Sequence, residues 1–296
     1  MNSCKAVQTQ KVQNSVAVES SPELLAESDK EMMNNDRISD LYFGKIFQGK
    51  PSRERGIQRI YWILDQIHDG PVLDIGCSQG IVPLLVARRG LVCLGLDNEK
   101  PAIAYANSLR ENERDEVKER LEYRLVLDAA DSGLPEQSYS TIMATQVLEH
   151  IADHSGLLAE VSRLLKPRGR FIVTVPMGWH PHYDHRTTFY PSNLINKMED
   201  YFSVYEVDEF NGFLVCVCGH KLKNTSRFQD REFVMECMSI TERHSLHWEK
   251  QHTIVRKKLI ESQKRLKKIK PSLQMHEMKQ GKIAVVVGTR PEAIKM

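Results

Sequence analysis

From Ser52 onward, Ile57, Ile60, Tyr61, Leu64 and Ile67 recur at three- and four-residue intervals, the spacing of one helix face, and Gly70-Pro71 closes the run. Val72, Leu73 and Ile75 then form a short apolar, largely β-branched stretch, the signature of a strand covered on both faces. Helical spacing returns at Val82, Leu85 and Val86 and ends at Gly90. A second buried strand follows at Leu91 to Leu96 and stops at Asp97. A charged helix over residues 101–119 leads to a third strand at 121–127. Strands alternating with helices predict an α/β fold with a mostly parallel, doubly wound sheet.

Two carboxylates interrupt this pattern where a strand ends. Asp74 sits in the first strand, followed by a glycine turn, in the order Asp74-x-Gly76-x-x-x-Gly80. Gly76 and Gly80 permit positive φ and close backbone approach, so a ligand can lie against the main chain, around Cys77, and the first amides of the next helix. Asp97 lies 21 positions beyond Gly76 at the tip of the second strand, placed to accept hydrogen bonds from both hydroxyls of a ribose; the other role open to Asp97 or Asn98 is to cap the helix begun by Pro101. A dinucleotide site calls for G-x-G-x-x-G, which this turn does not have.

Composition narrows the classes. The chain has 296 residues, room for one α/β domain of about 200 plus appendages. Its 41 basic and 39 acidic residues nearly cancel, so no global field favours nucleic acid or an anionic membrane. No apolar run approaches the roughly 20 residues of a membrane span, and the polar start has no signal-peptide core, so a cytoplasmic location is expected. Six cysteines, at 4, 77, 93, 216, 218 and 237, form no C-x-x-C pair; Cys216 and Cys218 are expected as small core residues on one strand face.

The glycine-turn pattern resembles the first motif of class I S-adenosylmethionine-dependent methyltransferases. Asp128-Ala129, Leu134-Pro135, and Val147-Leu-Glu149-His150 resemble the D-A…L-P…V-L-E-H stretch of the members that act on small molecules and sugars. Ser140-Thr141 stands where an acid is usual, a departure expected to touch surface packing. Ala159 to Leu165, the turn Lys166-Pro-Arg-Gly169 and the strand Arg170 to Pro176 continue the likeness, which covers about residues 55–218. The resemblance implies a seven-stranded sheet with its last strand antiparallel and S-adenosylmethionine as cofactor. It places Asp74, Gly76, Cys77, Gly80, Asp97, Asn98, Asp128, Ala129, Thr145 and Gln146 around that cofactor, with Asp128 beside the adenine amino group.

Between the fifth strand and a short helix at 191–198 lies Trp179-His-Pro-His-Tyr-Asp-His-Arg186, where the acceptor side of such a site closes. His180, His182 and His185 are the candidate catalytic residues: as general base for an acceptor hydroxyl, as divalent-metal ligands with Asp184, or as a purely structural loop. Glu149-His150 either touches the acceptor or only starts a helix. A His-rich acceptor loop suits O-methylation, because an alcohol must shed its proton as the new bond forms.

The remaining segments are expected to be a disordered tail at 1–35, a methyltransferase domain at 36–220, a helical basic extension at 221–278, and at 279–296 a truncated start of a second α/β domain. The apolar cluster at Leu41 to Phe47 either covers the cofactor or packs on the domain. The run from Val287 to Met296 resembles the first strand and loop of UDP-N-acetylglucosamine 2-epimerases, which implies a nucleotide-sugar contact at Arg290. The expected activity is methylation of a small-molecule or glycan acceptor, possibly a nucleotide sugar, in surface polysaccharide biosynthesis. The alternatives are a quinone-like or other small metabolite as acceptor, and a non-catalytic cofactor-binding module.

Overall fold

The computed structural model describes residues 38–44, 50–178, 184–222 and 230–246, with scattered positions from 250 to 264. The expected tail at 1–35, His180 and His182, and the epimerase-like run with Arg290 lie outside the described residues. Helices α1 (Ile38–Tyr42) and α2 (Lys50–Gln66) precede β1 (Val72–Ile75), α3 (Ile81–Arg88), β2 (Cys93–Asp97), α4 (Lys100–Glu111), α5 (Asp115–Lys118) and β3 (Leu121–Leu125). Then come β4 (Tyr139–Thr145), α6 (Ser155–Leu164), β5 (Leu165–Pro176), α7 (Pro191–Glu199), β6 (Phe202–Phe210) and β7 (Phe213–His220). A further helix, α8, spans 231–246.

The seven strands form one sheet in the order β3-β2-β1-β4-β5-β7-β6. All neighbours from β3 to β5 are parallel, and β7 runs antiparallel to both β5 and β6. This is the α/β, doubly wound, seven-stranded and mostly parallel arrangement that the resemblance implies. The strand order reverses between β1 and β4, and a doubly wound sheet opens its ligand crevice beyond the carboxyl ends of the strands at such a point.

Side-chain alternation along the strands supplies two cores. On one face Val72 and Met143 join Ile60, Ile63 and Leu64 of α2, Ile81 and Leu84 of α3, and Ala106 of α4. On the other, Leu73, Ile75, Ile142 and Ala144 meet Leu158 and Val161 of α6, Leu194 and Ile195 of α7, and Phe233, Cys237 and Ile240 of α8. Cys216 and Cys218 are fully buried here, their sulfurs 3.4 Å apart, as their spacing implies.

Three features differ from expectation. The charged helix breaks into α4 and α5, and the Lys166-Pro-Arg-Gly169 turn lies within β5, where the register against β4 shifts between Tyr139 and Thr141. Ser140 and Thr141 are not surface substitutions: their hydroxyls donate to the carbonyls of Gly70 and Asp69, both at 2.9 Å, and Thr141 is buried, so the pair ties β4 to the chain entering β1. Within the stretch read as an extension beyond residue 220, α8 shares the domain's core. Asp230 starts it, its carboxylate accepting from the backbone N–H of Glu232 at 2.9 Å, and Arg243 donates to Asp208 of β6 at 2.6 Å.

Candidate functional site

At the carboxyl end of β1, Gly76 and Gly80 both take left-handed φ, 73° and 77°. A Cβ on Gly76 would meet Val147 Cγ2 at 2.4 Å, and one on Gly80 would meet the Tyr123 ring at 2.6 Å. The turn therefore needs glycine for its backbone angle and for the space that its neighbours fill. Tyr123 closes the arrangement by donating its hydroxyl to the Gly80 carbonyl at 2.5 Å. Between the glycines, Ser78 holds φ at 47°, a strained value for a side-chain-bearing residue.

That strained geometry aims the Ser78 N–H at Asp97 Oδ2, 2.7 Å away, while the Glu99 N–H donates to Oδ1 at 2.8 Å. Asp97 thus joins the tips of β1 and β2 and holds the turn that leads into α4, whose N-cap is Glu99 with no side-chain cap, so it does not serve as that helix's cap. Burial pushes its carboxyl above the usual range, against the backbone donors Glu99, Ser78 and Asn98, which favour the ionised form. A raised value means that the charge is lost sooner as pH falls. A ribose bound through Asp97 is accordingly expected to weaken at a higher pH than the value of about 3.9 for an ordinary aspartate would give; titrating affinity against pH checks this.

A recess beside the turn is lined by Asp74, Gly76, Cys77, Ser78, Thr145 and Gln146, and by Arg59 of α2. Asp74 is buried, and the Arg59 guanidinium lies 4.5 Å above the ring centre of Phe213. Gln146, at φ 59°, is a second strained residue, held by its N–H to the Thr174 carbonyl at 2.8 Å. Cys77 differs from the others: its side chain is buried in the core against Gly95, and burial pushes its thiol pKa well up.

Helix α1 covers this end of the sheet. Ser39 donates its hydroxyl to the Gln79 carbonyl at 2.9 Å and its N–H to Gln79 Oε1 at 3.0 Å, and both residues are fully buried. Ile38 lines the recess itself. Of the two roles open to the apolar cluster, its described part shows packing on the domain: Tyr42 lies against the core that α2 and α3 share, and Phe43 stays 39% exposed. Asp128 is exposed and caps the turn Ala129–Asp131, accepting from the Ala130 N–H at 2.9 Å.

Beyond β4 the chain enters a single helical turn, Leu148–His150. The Glu149 carbonyl accepts from the N–H groups of Arg186 and Thr187, at 2.7 and 3.1 Å, and this pins the segment carrying Asp184 and His185 alongside. His150 Nδ1 lies 3.0 Å from Asp184 Oδ2, and the His150 and His185 rings meet edge to face with centres 5.0 Å apart. The Glu149 side chain is 1% exposed. Below them, buried His154 bonds to the Leu148 carbonyl at 2.8 Å, and burial pushes its pKa down.

A glycine turn, an acid at the second strand's tip and an acid–imidazole cluster beyond the fourth strand thus share the carboxyl end of the sheet. Residues 73–173 match the family model described as a methyltransferase domain. The ubiquinone biosynthesis O-methyltransferase of Pseudomonas fluorescens (strain SBW25) is 28% identical over 151 residues, 49% of this chain and 62% of that protein. The protein of the same name from Aeromonas salmonicida (strain A449) is 30% identical over 149 residues, 49% of this chain and 61% of that protein. This chain therefore spans less than two thirds of the length of these relatives.

Among solved structures, the PH0226 protein from Pyrococcus horikoshii OT3 aligns with a TM-score of 0.50 at 18% identity, covering 59% of this chain and 93% of that one. The [4+2]-cyclase SpnF aligns at 0.52 and 15% identity, over 57% and 82%. These likenesses establish the fold. A cyclase among them shows that the fold alone does not name a reaction, which has to be argued from the site.

The structure brings Asp74, Gly76, Thr145 and Gln146 to one recess, places Gly80 and Asp97 at its glycine turn, and gathers Glu149, His150, Asp184 and His185 at the neighbouring strand end. Sequence reasoning missed Ser78, Arg59 and the Ser39–Gln79 contact. The position of Ser78 between two glycines was the one available signal. Changing Gly76 to Ala is expected to cost about 1–2 kcal/mol from the left-handed φ alone, and more from the Val147 clash. Chemical denaturation measures it, and a loss below about 0.5 kcal/mol would show that the turn relaxes freely.

Proposed function

We propose that the protein is an S-adenosylmethionine-dependent O-methyltransferase of a small hydroxylated acceptor, with a sugar or glycan as the substrate class. The observation that carries the reading is Asp97, fixed by the Ser78 N–H at the tip of β2 and set beside the glycine-turn recess. The residues fit the cofactor in kind. Asp97 offers a carboxylate to ribose hydroxyls, the Gly76 turn presents main chain, and Arg59 and Asp74, both lining the recess, offer opposite charges to its amino-acid end. Asp128 and Ala129 flank the adenine, and Asn98 follows the ribose-binding acid.

When bound, the cofactor supplies a methyl group already activated by its sulfonium. What remains for the protein is alignment and proton removal. Thr145 and Gln146 hold the wall between cofactor and acceptor, Gln146 in a strained backbone that its bonds to Thr174 maintain. The cluster of Glu149, His150, Asp184 and His185 promotes loss of the acceptor hydroxyl's proton, and His180 and His182 share in this role.

The sugar assignment rests on the epimerase-like run around Arg290 and on the resemblance to sugar methyltransferases. A second reading, a quinone-like acceptor, has its support in the printed names of the 28–30% identical relatives. We place the activity in the cytoplasm, with no nucleic acid as partner. No helix among the described residues is long and apolar enough to cross a membrane. The domain is read as 36–220 with α8 added to its core, followed by a basic extension to 278 and the epimerase-like start at 279–296. Transfer of a labelled methyl group to glycan or nucleotide-sugar acceptors is the expected result. Transfer only to quinone precursors would replace the sugar reading, and no transfer to either class would favour a non-catalytic module.

A further inference from the structure

We infer that Glu149, His150 and His185 hold a divalent first-row metal ion on the acceptor side of the site, with Asp184 as the positioning residue behind His150. The inference deepens the methyltransferase reading, on which it rests for the acceptor, while metal binding itself stands on this chain's own residues. One potential ligand atom from each of the three residues lies within 4.8 Å of the other two. Bonds of about 2.0–2.2 Å to a common ion require each atom to move inward by roughly 0.7 Å at most, a small side-chain rotation.

The backbone has already assembled the set. Glu149 and His185 are 36 residues apart, yet the Glu149 carbonyl accepts the Arg186 and Thr187 N–H groups, and Thr187 also donates its hydroxyl to the Ile151 carbonyl at 3.1 Å. Asp184 holds His150 at Nδ1, so a cation is taken at Nε2, the carboxylate–histidine–metal order common to metal sites. Glu149 is 1% exposed, so its carboxylate is withdrawn from water, and a cation shared with the two imidazoles offsets part of that cost.

One carboxylate and two imidazoles suit Zn²⁺, Mn²⁺, Fe²⁺ or Co²⁺ better than Mg²⁺ or Ca²⁺, which prefer all-oxygen shells. Three protein ligands leave coordination positions open, as in catalytic rather than structural sites. Those positions fit the two oxygens of a vicinal diol, the group that sugars and catechols share. A coordinated hydroxyl gives up its proton to solvent at neutral pH. The resulting oxygen forms a bond to the methyl carbon as the carbon–sulfur bond breaks, its electron pair remaining on sulfur as a neutral thioether.

The test uses the full chain, stripped with a chelator and titrated with Co²⁺, read by visible absorption and calorimetry. One Co²⁺ per chain is expected, with affinity lowered at least about 10-fold by Glu149→Gln or His185→Ala, and about 10–100-fold by Asp184→Asn. Melting temperature and S-adenosylhomocysteine affinity are read on each variant. If Glu149→Gln melts early, the partly exposed His185→Ala carries the comparison. The absence of a saturable Co²⁺ site, or a site indifferent to both ligand variants, overturns the inference. Cobalt binding without S-adenosylhomocysteine binding would instead sink the methyltransferase reading and leave the metal site standing.

Discussion

Changing His185 to Ala is expected to lower methyl-transfer turnover by about 10²–10⁴ while cofactor affinity stays within about twofold. The split follows from position. His185 meets His150 edge to face at the end of β4, in a cluster with Glu149 and Asp184, whereas the cofactor recess is built by the Gly76 turn and the tip of β2. On the proposed reading, losing the imidazole impairs loss of the acceptor proton and leaves the glycine-turn recess intact. Steady-state turnover set against S-adenosylhomocysteine affinity separates the two. Full turnover in the variant would make the cluster structural, and equal losses in both quantities would mean that the His185 segment shapes the cofactor recess.

Changing Phe233 to Ala is expected to cost about 3–5 kcal/mol of unfolding free energy. Phe233 is 2% exposed and belongs, with Cys237 and Ile240, to the core cluster that α6 and α7 share with the sheet. Their spacing of four and three residues makes one face of α8, while Met235 and Met238 point outward at 57% and 61% exposure. Met235→Ala is the matched control, with an expected effect within about 0.5 kcal/mol. Denaturant unfolding of both variants distinguishes a helix that completes the domain from one merely resting on it; a Phe233→Ala cost below about 1 kcal/mol would show the latter.

The doubly wound sheet could be read from the chain because its strands bury both faces and its helices only one. Val72-Leu73-Asp74-Ile75 and Cys93 to Leu96 stand out as short apolar runs, and the α2 residues repeat at helical spacing. The glycine turn and Asp97 were readable because each is a local signal tied to a strand end. The acceptor cluster was only half readable: Glu149-His150 and His185 each drew notice, but their meeting depends on backbone bonds between segments 36 residues apart. No local spacing encodes such a contact. The helical character of α8 was readable but its place in the core was not, since Phe233, Cys237 and Ile240 make a narrow apolar face that no local spacing ties to the sheet. Thr141 looked like a surface substitution because its partner, the Asp69 carbonyl, precedes it by 72 positions.

The carboxyl ends of β1, β2 and β4 are expected to bind S-adenosylmethionine. Calorimetric titration of the full chain with S-adenosylhomocysteine, repeated on Asp97→Ala and with NAD in place of the ligand, tests it most directly. One site per chain is expected, with a loss of about 1–3 kcal/mol in the variant from stranded ribose hydroxyls and no saturable binding of NAD. Undetectable binding to the native chain, unchanged affinity in Asp97→Ala, or saturation by NAD would contradict it.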